Sequence, residues 1–243
     1  MKILPRKPSI CASVIAHTVE EFLDAARNAR DADVIEIRAD GLKVEPPSGQ
    51  KYRAEIKRLL RNVKIQTGLP VILTIRKEKE GGVFKGSEAE RVACIEDAMK
   101  LADAIDIELR MEEEKREEIM SEAKKNRIPV ILSYHDLDKT PEEDAMKAIL
   151  EEEAGAGAGM AKLAVKANSM VDVLRLLEVT REMSSKLSIP ICTISMGELG
   201  KISRIAAPLF GSAISYGYVT RETAPGQLSV SQLKQAFEML GVR

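Results

Sequence analysis

Lys162 stands in the middle of Met160–Val165, an apolar run with the pattern of a buried strand. Lysine is almost never fully buried unless it is paired, and no carboxylate within the segment can pair it. A desolvated amine loses proton affinity and becomes a nucleophile toward carbonyl carbon. The competing reading is an edge-strand lysine whose stem snorkels to water. His135 ends another run, Ser133-Tyr134-His135-Asp136, and imidazole is the side chain best suited to take and return a proton near neutral pH. Glu36 and Arg38 alternate on a third run, Arg76 follows a fourth, and Arg204 lies far along the chain. Singly, these residues have duller readings, a structural ion pair or a satisfied rim histidine. Brought together, they would supply an imine-forming amine, an acid/base and a cationic lining for a carboxylate.

Something must bring them together. Strand-like runs occur at Ile10–Val14, Val34–Arg38, Pro70–Ile75, Ala104–Leu109, Ile128–His135, Met160–Val165, Ile189–Ser195 and Ser212–Tyr216. Between them lie helical stripes such as Phe22, Ala25, Ala26, Ala29 and Leu233, Ala236, Phe237, Leu240. Capping boxes are expected at Thr18 with Glu21, Ser87 with Glu90, Thr140 with Glu143 and Ser229 with Gln232, with Pro141 at a first helical position. The mixed charges of Glu112–Lys125 read as a solvated helix. Eight strands alternating with about eight helices is the count of a (β/α)8, or TIM, barrel. A doubly wound open sheet would leave strand–helix units over. No linker divides the chain, so residues 1–243 are expected to form a single domain.

Strand residues two apart share a face. In a barrel the helix side is apolar, so Glu36 and Arg38 are expected to point into the lumen, opposite Ile35 and Ile37. The same phase sends Thr74 and Arg76 inward, and Lys162 and Ala164 with them. His135 falls at the C-terminal rim, the face where such barrels hold their active sites. Glu108, inward on Asp106-Ile107-Glu108, is a candidate to balance the arginines. Gly155, Gly157 and Gly159 precede a strand and lack a Gly-Lys-Ser/Thr ending, which favours a helix exit over a phosphate loop.

Composition narrows the partners. The 243 residues carry a formal net charge of −1, leaving no basic footprint for nucleic acid and no polybasic membrane signal. No apolar run approaches a membrane span, and the basic start at residues 1–8 lacks a signal peptide's apolar core. A cytoplasmic protein is expected. The two histidines and the scattered Cys11, Cys94 and Cys192 make a metal site a poor expectation, with Cys11 and Cys192 behaving as small hydrophobes. No metal or other cofactor is expected.

Several motifs recur together: Glu36-Ile37-Arg38-Ala39-Asp40; Thr74-Ile75-Arg76 followed by Glu80-Gly81-Gly82; Ser133-Tyr134-His135-Asp136; and Lys162-Leu163-Ala164-Val165. Ile202-Ser203-Arg204, Phe210-Gly211-Ser212 and Ala224-Pro225-Gly226-Gln227 follow in order. In this order and spacing, from Ser13 to Gln227, the chain resembles the type I, Schiff-base-forming 3-dehydroquinate dehydratases. The resemblance implies that Lys162 forms an imine with the ketone of 3-dehydroquinate. His135 would remove the neighbouring proton and protonate the departing hydroxyl, with Glu80 assisting it. Glu36, Arg38 and Arg76 would contact the hydroxyls and the anionic ring, Arg204 the carboxylate, and Gln227 would close over it from its loop. Ser13 would be a first-strand contact, and Thr223 stands where some relatives have serine. The product would be 3-dehydroshikimate plus water, the third step of the shikimate pathway toward chorismate and aromatic amino acids. A homodimer is also implied.

Two other readings compete. A class I aldolase acting on a small keto acid shares the lysine imine, but glycine-rich phosphate loops would be expected after strands seven and eight. Here the segment after strand seven runs through Gly197 and Gly200 to Arg204, which suits a carboxylate. A non-catalytic barrel binding a sugar acid or a protein would have no use for Lys162 and His135.

Overall fold

The structure is a computed structural model that describes residues 8–45 and 49–242. The basic start at residues 1–8 thus lies outside the described residues except for Pro8. Eight strands are present: β1 (Ser9–Val14), β2 (Val34–Arg38), β3 (Val71–Thr74), β4 (Ala104–Glu108), β5 (Val130–Asp136), β6 (Met160–Lys166), β7 (Ile191–Met196) and β8 (Ile214–Tyr218). All neighbours are parallel, in the order β8-β1-β2-β3-β4-β5-β6-β7. A bridge between Ile191 and Ser212, with Ala213 N–H donating to Ile191 O at 2.8 Å, nearly closes the sheet on itself. The result is a (β/α)8 barrel, as expected from the alternation.

Outside it run α1 (Val19–Arg27), α2 (Gln50–Thr67), α3 (Glu88–Ala98), α4 (Glu113–Asn126), α5 (Glu143–Gly155), α6 (Met170–Lys186), α7 (Ser203–Ala206) and α8 (Val230–Met239). The seventh is one turn between two 3-10 segments. Their apolar stripes bury against the outward residues of the strands, including Ile10, Ala12, Ile35, Ile37, Leu73 and Leu163. A second apolar cluster, with Val34, Ile72, Ile131, Met160 and Ile214, fills the lower lumen. The barrel is therefore plugged below and polar above, which confines chemistry to its C-terminal mouth.

The capping boxes at Thr18, Ser87 and Ser229 are formed. The one expected at Thr140 is not. Its hydroxyl instead donates to Lys166 O at 2.8 Å, tying the approach of α5 to the end of β6. The helix begins at Glu143 without a side-chain cap, and Pro141 precedes it. A box that the Glu/Gln pattern does not flag occurs at Ser169, where Asp172 fills the third position. Strand ends shift by one or two residues, most at β5, β7 and β8. Gly155 ends α5 and Gly157 has φ +87°, so the glycine stretch is a helix exit.

One residue of α5 breaks the burial rules. Glu153 shares the inward stripe of Met146, Ile149 and Leu150, is 0% exposed, and neither carboxyl oxygen has a hydrogen-bond partner. Burial pushes its pKa well above the usual carboxylate range, and the Lys162 backbone N–H, outside hydrogen-bond geometry, offsets this only in part. An acid whose pKa is raised by folding stabilises least once pH passes its unfolded value near 4.3 and rises toward the folded one. Glu153→Met should therefore raise Tm by about 5 °C at pH 8, equivalent to about 1–3 kcal/mol of relieved desolvation. The gain should be smaller at pH 5. Calorimetric scans at both pH values check this; a variant that melts lower at pH 8 would contradict it.

Candidate active site

Inward residues stack in layers above the apolar plug. β1 contributes Ser13; β2 Glu36 and Arg38; β5 Ser133 and His135; β6 Lys162 and Ala164; and β8 Tyr216. Register aligns them, with Ser13 opposite Glu36, Ser133 opposite Lys162 and His135 opposite Ala164. All of these but Ser133 line one cavity at the mouth of the barrel. All ten residues selected from the sequence line it: Lys162, His135 and Glu80, with Ser13, Glu36, Arg38, Arg76, Arg204, Thr223 and Gln227. Among the described residues no cluster of His, Cys, Asp or Glu could hold a metal ion.

Lys162 is 4% exposed, so it is not a snorkelling edge residue. Nor is its amine depressed. The partner missing from its own strand comes from β4: Asp106 accepts from Nζ at 2.7 Å, with Glu36 at 3.9 Å. Burial alone would lower the Lys162 pKa, but Asp106 and then Glu36 outweigh it and hold the amine above its ordinary value. The Tyr216 ring lies beneath, its centroid 4.3 Å from Nζ, a cation–π contact that also favours the charged form. The resting site holds an ammonium.

His135 has the opposite balance. Burial, then the charges of Arg76 and Lys162, keep it well below the usual histidine value, so the imidazole is neutral at pH 7. Its Nδ1 lies 3.0 Å from Glu80 Oε2, which also accepts the His135 backbone N–H at 3.2 Å. With Nδ1–H donating there, Nε2 is left as the proton acceptor. Burial raises Glu80 to about 7 against the pull of Arg76. The glycines explain how Glu80 reaches across. A Cβ on Gly82 would sit 2.0 Å from Arg76 O, so only glycine lets the loop fold back onto the end of β3.

Arg204 is a buried cation without a counter-ion among the described residues. Its guanidinium donates only to carbonyls: Nε to Gly226 O at 3.0 Å, and Nη1 and Nη2 to Tyr216 O and Pro225 O at 3.3 Å. Burial pushes it down to about 10. Such a group gains most from an incoming anion. The turn that holds it depends on Gly226, at φ +72°, where a Cβ would meet Gly197 O at 2.2 Å. The next residue, Gln227, accepts from Thr223 N–H at 2.7 Å. Thr223 Oγ1 lies 2.9 Å from Ser13 Oγ, which donates to Glu36 Oε2 at 2.5 Å. The hydroxyl that threonine shares with serine is thus the atom that ties this loop to β1 and β2.

The other arginines are already engaged. Arg38 forks onto Asp40 at 3.0 and 2.8 Å, a partner within its own motif. Arg76 donates to Asp106 at 2.6 Å and to Ser133 Oγ at 2.8 Å, and reaches Glu108 at 3.3 Å. Asp106 stays ionised, since Arg76 and Lys162 outweigh the effect of its burial. Sequence reasoning passed over Asp106, Asp40 and Tyr216 as site residues. The inward phase of β4 and β8 was the available signal for Asp106 and Tyr216.

Known proteins match this chain nearly from end to end. The sequence profile of the type I 3-dehydroquinase family matches residues 10–243. The 3-dehydroquinate dehydratase of Methanococcoides burtonii is 43% identical over 237 residues, covering 98% of this chain and 96% of that one. The crystal structure of 3-dehydroquinate dehydratase from Geobacillus kaustophilus matches with a TM-score of 0.90 at 30% identity, over 97% of this chain and 92% of that one. The type I enzyme from Clostridium difficile, described with covalently modified comenic acid, also gives 0.90, at 32% identity over 99% and 94%. On that likeness the chain belongs to the type I 3-dehydroquinase family, and it is a hydro-lyase, a type I 3-dehydroquinate dehydratase.

Proposed function

We propose that the chain converts 3-dehydroquinate to 3-dehydroshikimate and water through an imine on Lys162, as the third step of the shikimate pathway toward chorismate and aromatic amino acids. The observation that carries this reading is that an ammonium, a neutral imidazole and an unpaired guanidinium line one cavity. Arg204 pairs with the substrate carboxylate, while Glu36, Arg38, Arg76, Ser13, Thr223 and Gln227 surround the ring and its hydroxyls. Lys162 passes a proton to His135 and its free amine adds to the ketone carbon. The imidazolium returns that proton to the carbinol oxygen, which leaves as water, giving an iminium.

The iminium then acts as an electron sink. His135 takes the proton from the adjacent carbon, the electron pair moves toward nitrogen, and the resulting enamine expels the neighbouring hydroxyl, protonated by His135, as a second water. Adding water to the conjugated iminium restores the ketone and the Lys162 ammonium. One water is consumed and two are released, so the net reaction is loss of one water. Glu80 holds the tautomer that this sequence needs.

The test is a spectrophotometric assay for the conjugated enone, joined to borohydride reduction in the presence of substrate. A substrate-dependent mass increase mapped to Lys162 is expected. Label on another lysine, or none, would overturn the imine. No feature of the site favours the aldolase reading. The same proposal takes residues 1–243 as one catalytic domain that works in the cytoplasm without a cofactor. A homodimer is supported by the exposed apolar side chains Met170, Val171 and Leu174 on α6 and Leu199 and Ile202 on the adjoining turn.

A further inference from the structure

Behind the cavity wall runs a string of alternating charges whose outer members the reaction itself does not use. Arg91 on α3 is 0% exposed, an unusual position for an arginine. Its Nη2 meets Glu88 Oε1 at 2.6 Å near the surface, and its Nη1 donates to Glu108 Oε2 at 2.5 Å. Glu108 Oε1 reaches Arg76 Nη1 at 3.3 Å, Arg76 Nη2 reaches Asp106 Oδ1 at 2.6 Å, and Asp106 Oδ2 receives Lys162 Nζ at 2.7 Å. Each member from Arg91 to Asp106 is held on both sides by opposite charge. Neither Arg91 nor Glu108 lines the cavity.

We propose that Arg91 and Glu108 are positioning residues for Lys162: through Arg76 they decide how firmly Asp106 grips the amine, and so how much of it is free to attack a carbonyl. This rests on the reading of Lys162 as the imine-forming residue. The physical reason is competition for a shared partner. Arg76 divides itself between Asp106 and Glu108. When Arg91 holds Glu108, Arg76 is released toward Asp106, and Asp106 has less charge to spare for Lys162. Removing Arg91 reverses this, because Glu108 then draws Arg76 away and Asp106 settles on the ammonium. Removing the Glu108 charge has the opposite effect, leaving Arg76 wholly to Asp106. Direct Coulomb effects act in the same sense, since a lost cation favours the ammonium and a lost anion disfavours it.

Other groups also face Lys162. Glu36 on β2 and Asp106 favour its charged form, as does the Tyr216 ring on β8. Arg76 and His135 line the same cavity, and the buried thiols of Cys11 and Cys192 lie in the lumen on β1 and β7. Glu153 lies behind β6 as a neutral acid. None of these residues is substituted in the variants below.

The measurement is the rate of reductive methylation of Lys162 by formaldehyde and cyanoborohydride at pH 8, followed by peptide mass spectrometry. Only the unprotonated amine reacts, so the rate reads its fraction. Glu108→Gln, close in shape to the parent, should speed the reaction about three- to tenfold, and Arg91→Met should slow it by a similar factor. The double variant should return to within about threefold of the parent, and Arg91→Lys should largely restore the parent rate. A purely structural role would move both single variants in the same direction, and that result overturns the proposal, as does a rate unchanged in both. If Arg91→Met does not fold, Glu108→Gln and the double variant decide it alone, the proposal failing unless the first is faster and the second reverts. Substrate-dependent borohydride labelling of the parent stands apart. Its failure removes the imine, whereas labelling with unaltered methylation rates removes only the string.

Discussion

Lys162→Ala should abolish dehydration, with kcat falling by on the order of 10⁵-fold or more, as removal of a covalent nucleophile does elsewhere. Nothing else in the cavity can replace the amine. His135 is a base without a suitable covalent intermediate, Cys11 and Cys192 are buried with thiols raised by burial, and the arginines stay protonated near neutral pH. The variant should bind substrate, because Arg204 and the loop carrying Gln227 remain, but borohydride should add no mass to it. Intact-mass measurement after reduction, beside the enone assay, checks both points. Substrate-dependent label on the alanine variant would place the imine on another residue. Truncation also removes one of the two cations that hold Asp106, leaving Arg76 at 2.6 Å, so stability should be measured at the same time, since taking a partner from a buried charge is destabilising.

His135→Ala should separate imine formation from proton transfer. General acid–base groups contribute about 10²–10⁴-fold, and a histidine serving several steps should cost at least the upper part of that range in kcat. Lys162 should still be trapped by borohydride with product, though more slowly because His135 also moves the proton in imine formation, since its amine and Asp106 are untouched. The pH profile carries a second signature. Since burial and the neighbouring cations hold His135 low, its base form survives below the usual histidine value near 6.5. It is lost only as pH falls through that lowered value, so the loss of kcat/KM near pH 6–7 should trace to Glu80, raised to about 7, and not to the imidazole. Near-full turnover in the alanine variant, or an acid limb at the ordinary histidine value that persists in Glu80→Gln, would contradict this role.

Much of the barrel and the lining was legible because alternation is a local signal. Glu36, Arg38 and Lys162 each sit in a strand whose other face is apolar, and period two alone sends them inward. The contacts between them were not legible, because they depend on the stagger between strands. Asp106 and Glu108 share a phase, and nothing in Asp106-Ile107-Glu108 says that the lower one meets Lys162 while the upper one meets Arg91. The same gap explains the expected depression of the Lys162 amine. A strand lacking a carboxylate was read as a lysine lacking a partner, whereas the partner lay two strands away. Arg91 is one charge among several in the first turns of α3, and only tertiary packing distinguishes it. Glu153 was readable in principle, since its helical phase with Met146, Ile149 and Leu150 marks it as buried although Glu151 and Glu152 beside it are not.

The charge string has a bearing on folding fidelity as well as on catalysis. The β3–β4 ladder has three paired positions, fewer than any other of the seven strand pairs of the sheet, so hydrogen bonding aligns β4 only weakly. A slip of one residue would turn Asp106 and Glu108 toward the helices together. Arg76, Arg91 and Lys162 would then be cations buried without these counter-charges. A misaligned barrel would be penalised at three points at once, far more heavily than by the exchange of Ile105 and Ile107 for their neighbours. The residues that equip the mouth for chemistry thereby proofread the alignment of the shortest ladder, and a chain that has lost them would lose its register check along with its activity.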